Sequence, residues 1–261
     1  MGDYQYIQAS IEDQITLLVI NHPPANALSR ETLRELEAAC DAAIADLQVR
    51  AIIITGAGKL FSAGADLGEI KELRSYEEAR ELAERGQRLL NKIEAASKPV
   101  IAAINGRFAL GGGAELALAC HFRVAEEGVR LGQPEVTLGL MPGWGGTQRL
   151  PRLIGKGRAL EMLLSGGHLS AEEAQRIGLV NKVVPAGTAV QEAKQMAKAI
   201  AQFGTKAIAA ILDAVNAGPE MPLREGLRSE AEQFARLCQS EDMREGVNAF
   251  LEKRRPRFTG R

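Results

Sequence analysis

Short, continuous apolar runs alternate along the first half of the chain with longer stretches in which apolar residues recur every three or four positions. Ile15–Ile20, Ala51–Thr55, Val100–Asn105 and Phe122–Ala125 are the short runs. They do not alternate apolar with polar as a strand with one wet face does, so they predict strands buried on both faces. Ser29–Gln48 and Ser75–Ala96 carry the helical period, the second opened by the capping-box pair Ser75 and Glu78. Beyond about Gly155 the pattern turns helical, over Thr188–Ala201, Thr205–Val215, Leu223–Cys238 and Glu241–Glu252, with Leu179–Val184 as a further strand and Ser170 and Glu173 as a second capping box. The expectation is an α/β body followed by a smaller helical end. No low-complexity linker divides them; the breaks are turns such as Met141-Pro142-Gly143, Gly166-Gly167 and Gly218-Pro219.

Composition narrows the function classes. At 261 residues the chain can bury a substantial core, and 46% hydrophobic with 25% charged residues is the balance of a folded, water-exposed protein. A net charge of −1 and only 4% aromatic residues, with no interleaving of Arg and aromatics, argue against nucleic acid, and the charge gives no pull toward an anionic membrane. Cys40, Cys120 and Cys238 are far apart and odd in number, which fits a reducing compartment. His22, His121 and His168 are scattered and no HExxH or CxxC spacing occurs, so no metal is expected. Met1–Ser10 lacks a basic segment leading into an apolar run, making the cytoplasm the default; a mitochondrial protein stripped of its transit peptide would read alike.

The glycines gather between Gly56 and Gly167, where backbone must approach something closely. Thr55-Gly56-Ala57-Gly58-Lys59 follows a strand but has neither phosphate-loop nor dinucleotide spacing. In Gly111-Gly112-Gly113-Ala114-Glu115-Leu116 the apolar continuation predicts a helix, which leaves the Gly112 N–H without an intrahelical acceptor. Small residues in Phe61-Ser62-Ala63-Gly64-Ala65-Asp66-Leu67 let a ligand lie against bare backbone, with the Ala65 N–H as a second donor; the alternative is a tight turn with no ligand. Glu115 reads either as an acid or base beside those donors or as a surface glutamate stabilised by the helix dipole. Glu135, in Gly132-Gln133-Pro134-Glu135, is either a second acid or a solvated turn residue. Two carboxylates sharing a dry site push their pKa values apart, so one can act as acid and the other as base.

These segments, together with Ala25-Asn26-Ala27-Leu28, Asn105-Gly106, Ala109-Leu110 and Met141-Pro142-Gly143 followed by Gly145-Gly146-Thr147-Gln148-Arg149-Leu150, resemble in order and spacing the enoyl-CoA hydratase, or crotonase, family over nearly the whole chain. The resemblance implies a spiral of ββα repeats, a catalytic core over residues 1–195, and a helical trimerisation region over 196–261, assembled as a trimer or a hexamer of two trimers. It implies an oxyanion hole from the N–H groups of Ala65 and Gly112, with Glu115 and Glu135 as the catalytic pair adding water to a 2-trans-enoyl-CoA, in fatty acid β-oxidation as the broad default. No separate cofactor is implied, since CoA is part of the substrate. Acyl-CoA contacts fall to Ala25, Lys59, Ala63, Ala65, Asp66, Leu67, Gly68 and Gly112.

Gly143 resembles a position that orients the water beside the second glutamate; otherwise it is a turn glycine. Trp144 either walls the acyl pocket or fills core. Hydratases often carry lysines where this chain has Pro23 and Gly68, which leaves the phosphate contacts open, and Lys253-Arg254-Arg255-Pro256-Arg257 either compensates across a subunit interface or is a solvated tail. Isomerases of the same fold usually keep one acid, and other relatives hydrolyse, decarboxylate or dehalogenate acyl-CoA with different side chains, so the two glutamates favour hydration over an isomerase or another acyl-CoA-processing relative; RNA-binding relatives are the remote alternative.

Overall fold

The computed structural model describes residue 2 and residues 4–261. Its main sheet has six strands in the order β1 (Ile7–Glu12), β2 (Ile15–Ile20), β3 (Ala51–Gly56), β4 (Val100–Ile104), β6 (Phe122–Glu126) and β9 (Lys182–Val184). Only the β1–β2 pair is antiparallel. A second, three-stranded sheet is built from β5 (Phe108–Leu110), β7 (Arg130–Gly132) and β8 (His168–Ser170). Isolated bridges from Ser62 to Ala109 and from Leu28 to Ala65 carry it two further steps.

The chain therefore winds as a spiral of ββα turns. Each pass lays one strand in the large sheet and a short extended piece in the small one, then leaves through a helix. After Leu28 comes α1 (Arg30–Ala45); after Ala65, α2 (Leu67–Lys71) and α3 (Tyr76–Glu94); after β5, α4 (Gly112–Ala119); and after β7, a 3-10 turn, Pro134–Leu138. The continuous apolar runs are explained by this layering. Ile52 and Ile54 pack with α1, α3 and α4, while Ile53, between them, faces Ala189, Ala193 and Ala197 of α8 (Ala189–Ala201). Every residue of β3 and β4 is buried.

Several boundaries differ from the sequence expectation, for local reasons. The first helix stops at Ala45 instead of reaching Gln48 because Asp46 turns extended and its carboxylate accepts the Gln48 N–H. Ser75 caps α3 as expected, but Glu78 reaches past it to the Arg74 N–H, so the box closes on the neighbouring residue. The box at Ser170 and Glu173 is complete and opens α7 (Ala171–Arg176). Strand Leu179–Val184 shortens to β9, Leu179 and Val180 being core residues of the approach. The strands β1, β5 and β8 and the helices α2, α5 (Gly146–Ile154) and α6 (Lys156–Ser165) lie outside the sequence reading.

Helix α8 runs through residue 195 and packs on the main sheet. The three helices that follow are α9 (Thr205–Ala217), α10 (Leu223–Leu237) and α11 (Glu241–Leu251); the first two bury no residue within the chain. The C-terminal tail folds back on α11, where the carboxylate of Asp242 accepts the N–H groups of Thr259 and Gly260 at 2.7 and 2.9 Å. Among the described residues no helix is long and apolar enough to cross a membrane.

Candidate active site

The site is assembled from backbone before any side chain is considered. Residues 25–28 run beside residues 63–65, with the Ala63 N–H donating to Ala25 O at 3.0 Å and the Leu28 N–H to Gly64 O at 2.9 Å. Ser62, fully buried, holds the crossing: its hydroxyl donates to Asn26 O at 2.8 Å and accepts the Gly64 N–H at 3.1 Å. Gly64 has φ +104°, and a Cβ there would lie 2.8 Å from Leu110 O and 3.1 Å from Gly112 N. That close approach sets the Ala65 turn against the N-terminus of α4. Neither the Ala65 nor the Gly112 N–H has a hydrogen-bond partner among the described residues. Free N–H donors of this kind, one of them at a helix start, are the groups an oxyanion site requires.

Glu115 lies in the first turn of α4 and is 2% exposed. Its Oε1 accepts both the Trp144 N–H at 2.8 Å and the Gly146 N–H at 2.7 Å, leaving the second oxygen to the site. Burial pushes its carboxyl up to about 7, reinforced by the charge of Glu135 and opposed by those two N–H groups and by Arg149. Glu135 sits half-buried in the 3-10 turn after β7, and burial raises its pKa as well. Its Oε1 is 3.0 Å from where a Cβ on Gly111 would stand, which places it at the first residue capping α4. The two carboxyls and the two free N–H groups thus surround the same helix end. Two carboxyls of raised pKa beside two free N–H donors supply the groups needed to polarise a carbonyl and to move a proton to or from the carbon beside it.

This geometry meets a family signature. The model of the enoyl-CoA hydratase/isomerase family matches residues 10–261. The chain belongs to the enoyl-CoA hydratase/isomerase family. It is 44% identical over 255 residues to a probable enoyl-CoA hydratase of Bacillus subtilis, covering 97% of this chain and 98% of the relative. It is 45% identical over 257 residues to the crotonyl-CoA hydratase of Syntrophomonas wolfei, covering 98% of each. The crystal structure of an enoyl-CoA hydratase from Bacillus anthracis superposes with a TM-score of 0.94 at 40% identity, over 98% of this chain and all of that one.

Of the remaining residues that the family resemblance singles out, some have structural partners that the sequence did not reveal and others are exposed. Asp66 caps α2 through the Gly68 and Glu69 N–H groups, while Leu67 and Gly68 are exposed. Lys59 is exposed in the turn after β3. Gly143 is tied by its carbonyl to Gln87 Nε2 at 2.8 Å, and the donors that its turn gives to a carboxylate are those of Trp144 and Gly146, directed at Glu115. Trp144 is 4% exposed and wedged between two glycines, since a Cβ on Gly86 of α3 or on Gly112 would come within 2.3 Å of the indole.

In the basic tail Arg254 is bound to Glu245 and Glu252, while Lys253, Arg255 and Arg257 are exposed. Two further residues escaped the sequence reading. Ser62 holds the 63–65 turn, and its only signal in the sequence was a small polar residue next to Phe61. Gln133 is 1% exposed, and with its amide oriented to satisfy the hydrogen bonds its nitrogen donates to both oxygens of Glu135, at 3.1 and 3.2 Å.

Proposed function

We propose that the protein adds water across the double bond of a 2-trans-enoyl-CoA to give the 3-hydroxyacyl-CoA. The observation that carries this reading is the gathering of Glu115 and Glu135 at one helix end beside the Ala65 and Gly112 N–H groups, which have no partner among the described residues. In the reaction the thioester oxygen accepts from Ala65 and Gly112, which draws charge from C3. Glu115 takes a proton as the water oxygen bonds to C3. The electron pair of the double bond passes through the enolate, and C2 receives a proton from Glu135. No cofactor beyond the CoA of the substrate is called for.

Names of relatives, a crotonyl-CoA hydratase among them, support a short 2-enoyl-CoA as the first substrate to try. Fatty acid breakdown is the pathway we assign by default. We assign the CoA side to Ala25 and Ala63, which are hydrogen-bonded to each other, and to Asp66, Leu67 and Gly68 at the start of α2, with Lys59 as the cation for its phosphates. Gly143, beside the turn that binds Glu115, is assigned to steady the water. We place assembly into trimers, or hexamers of two trimers, on the helices of residues 196–261, where Phe203, Ile211, Val215 and Phe234 are left exposed. Three free cysteines, two of them buried, favour a cytoplasmic setting.

Loss of the conjugated thioester absorbance tests the reading. Crotonyl-CoA should be hydrated by the purified protein, and E115Q and E135Q should each lower turnover by about 10²- to 10⁴-fold. Near-normal turnover in either variant refutes the paired role, and no hydration of short, long or branched 2-enoyl-CoAs by the unaltered protein refutes the activity.

A further inference from the structure

The two N–H groups that hold Glu115 are themselves held, from the side away from the site. Arg149, on α5, is nine-tenths buried and reaches back over the start of its own helix. Its Nη1 donates to Trp144 O at 3.0 Å, the carbonyl lying between the Trp144 and Gly146 N–H groups that bind Glu115. Its Nε and Nη2 donate to Glu94 Oε2 at 3.0 and 2.8 Å, and Nη2 also to Asn91 Oδ1 at 2.6 Å. Gly145 has φ +116°, and a Cβ there would stand 2.2 Å from Nη1, so the guanidinium lies directly on the turn.

Asn91 and Glu94 lie on α3, with Gln87 one turn earlier donating to Gly143 O at 2.8 Å. Gln87, Asn91 and Glu94 fall on one helical stripe. That stripe grips the turn at Gly143 directly and at Trp144 through the arginine. A planar fork that binds a carbonyl on one edge and a carboxylate on the other fixes a peptide plane in a way a point charge cannot.

We infer that Arg149 is a positioning residue of the reaction: anchored by Glu94 and Asn91, it fixes the 144–146 turn so that both N–H groups point at one oxygen of Glu115 and leave the other aimed at the water. It touches neither substrate nor the reacting atoms. Its loss displaces a carboxylate by a fraction of an ångström, a scale of error that costs up to about 10²-fold in rate. Among the charged groups acting on Glu115, Glu135 from the 3-10 turn favours proton retention and Arg149 from α5 opposes it, so removing the arginine also removes a cation that opposes it.

The inference rests on the hydration reading, and the wild-type assay separates the two: failure of the wild type on every enoyl-CoA defeats that reading, whereas an active wild type matched by its Arg149 variants defeats only this one. R149M keeps the packing stem and drops every donor. On crotonyl-CoA it should lower kcat about 10- to 100-fold with KM little changed, and shift the acid limb of the kcat/KM profile to higher pH. R149K, which restores the charge and a single donor nitrogen in place of the three of the guanidinium, should recover part of the loss. A folded R149M with wild-type kcat, or one with a lowered kcat, an unmoved acid limb and no recovery in R149K, overturns the inference. If R149M does not fold, E94Q decides: a kcat reduced at least about threefold at unchanged KM supports the role, and an unchanged kcat overturns it.

Discussion

At the residue scale, Glu115 shows how a carboxylate is kept in an apolar helix. The residues around it in α4 are all buried, and only two N–H groups compensate its charge directly, both on the same oxygen. Below about pH 4.5 the group is protonated in the folded and the unfolded chain alike. Between there and about 7 the folded chain retains a proton that the unfolded chain has released, so this residue's contribution to stability falls as pH rises through that window. A rise of that size corresponds to roughly 3 kcal/mol. E115Q, neutral at every pH and able to accept the same two N–H groups, should therefore be more stable than wild type near pH 8, by up to about 3 kcal/mol, with the gap closing as the pH approaches 4.5. Denaturant unfolding at several pH values checks this, and a difference that does not depend on pH contradicts it.

At the scale of elements, the two N–H groups we propose as the oxyanion pair, those of Ala65 and Gly112, come together where two turns of the spiral touch. Gly64 is where they do so, with a left-handed backbone and the Leu110 carbonyl and Gly112 nitrogen within contact of its absent side chain. G64A must pry the Ala65 turn from α4. We expect kcat/KM to fall about 10²- to 10³-fold, the cost of losing one oxyanion donor, with thermal stability lowered as well. A fall confined to stability, with normal turnover of the remaining folded enzyme, would remove Ala65 from the reaction. The sequence named Ala65, Gly112, Glu115 and Glu135 as candidates through glycine placement and family resemblance, because catalysis through backbone donors demands small residues at fixed points. It was silent on Ser62 and Gln133, whose roles depend on crossings between segments about 35 residues apart or on the direction of one amide. It also missed β5 and β8, three residues each, which are too short to show a period and are strands only because β7 lies between them.

For the whole molecule, a single chain leaves much undone at its C-terminal end. Helices α9 and α10 contain no fully buried residue, yet carry Ile211, Val215, Leu227 and Phe234 on their surfaces. Such apolar area is stable in water when copies of the chain cover it. Light scattering should return a mass of about three or six times 28.0 kDa, and F234E should lower it. A wild-type mass of one chain overturns the assembly proposal.

The sequence by itself determined the buried parallel strands, the helical end and the glycines that let backbone approach a ligand, because burial on two faces, helical period and the absence of a Cβ are properties of local residue order. Tertiary structure alone decided which donors stay unpaired, which oxygen of Glu115 is occupied and what Arg149 holds. These depend on contacts between turns of the spiral that no local pattern encodes, and it is those contacts that set the charge and direction of the two carboxyls.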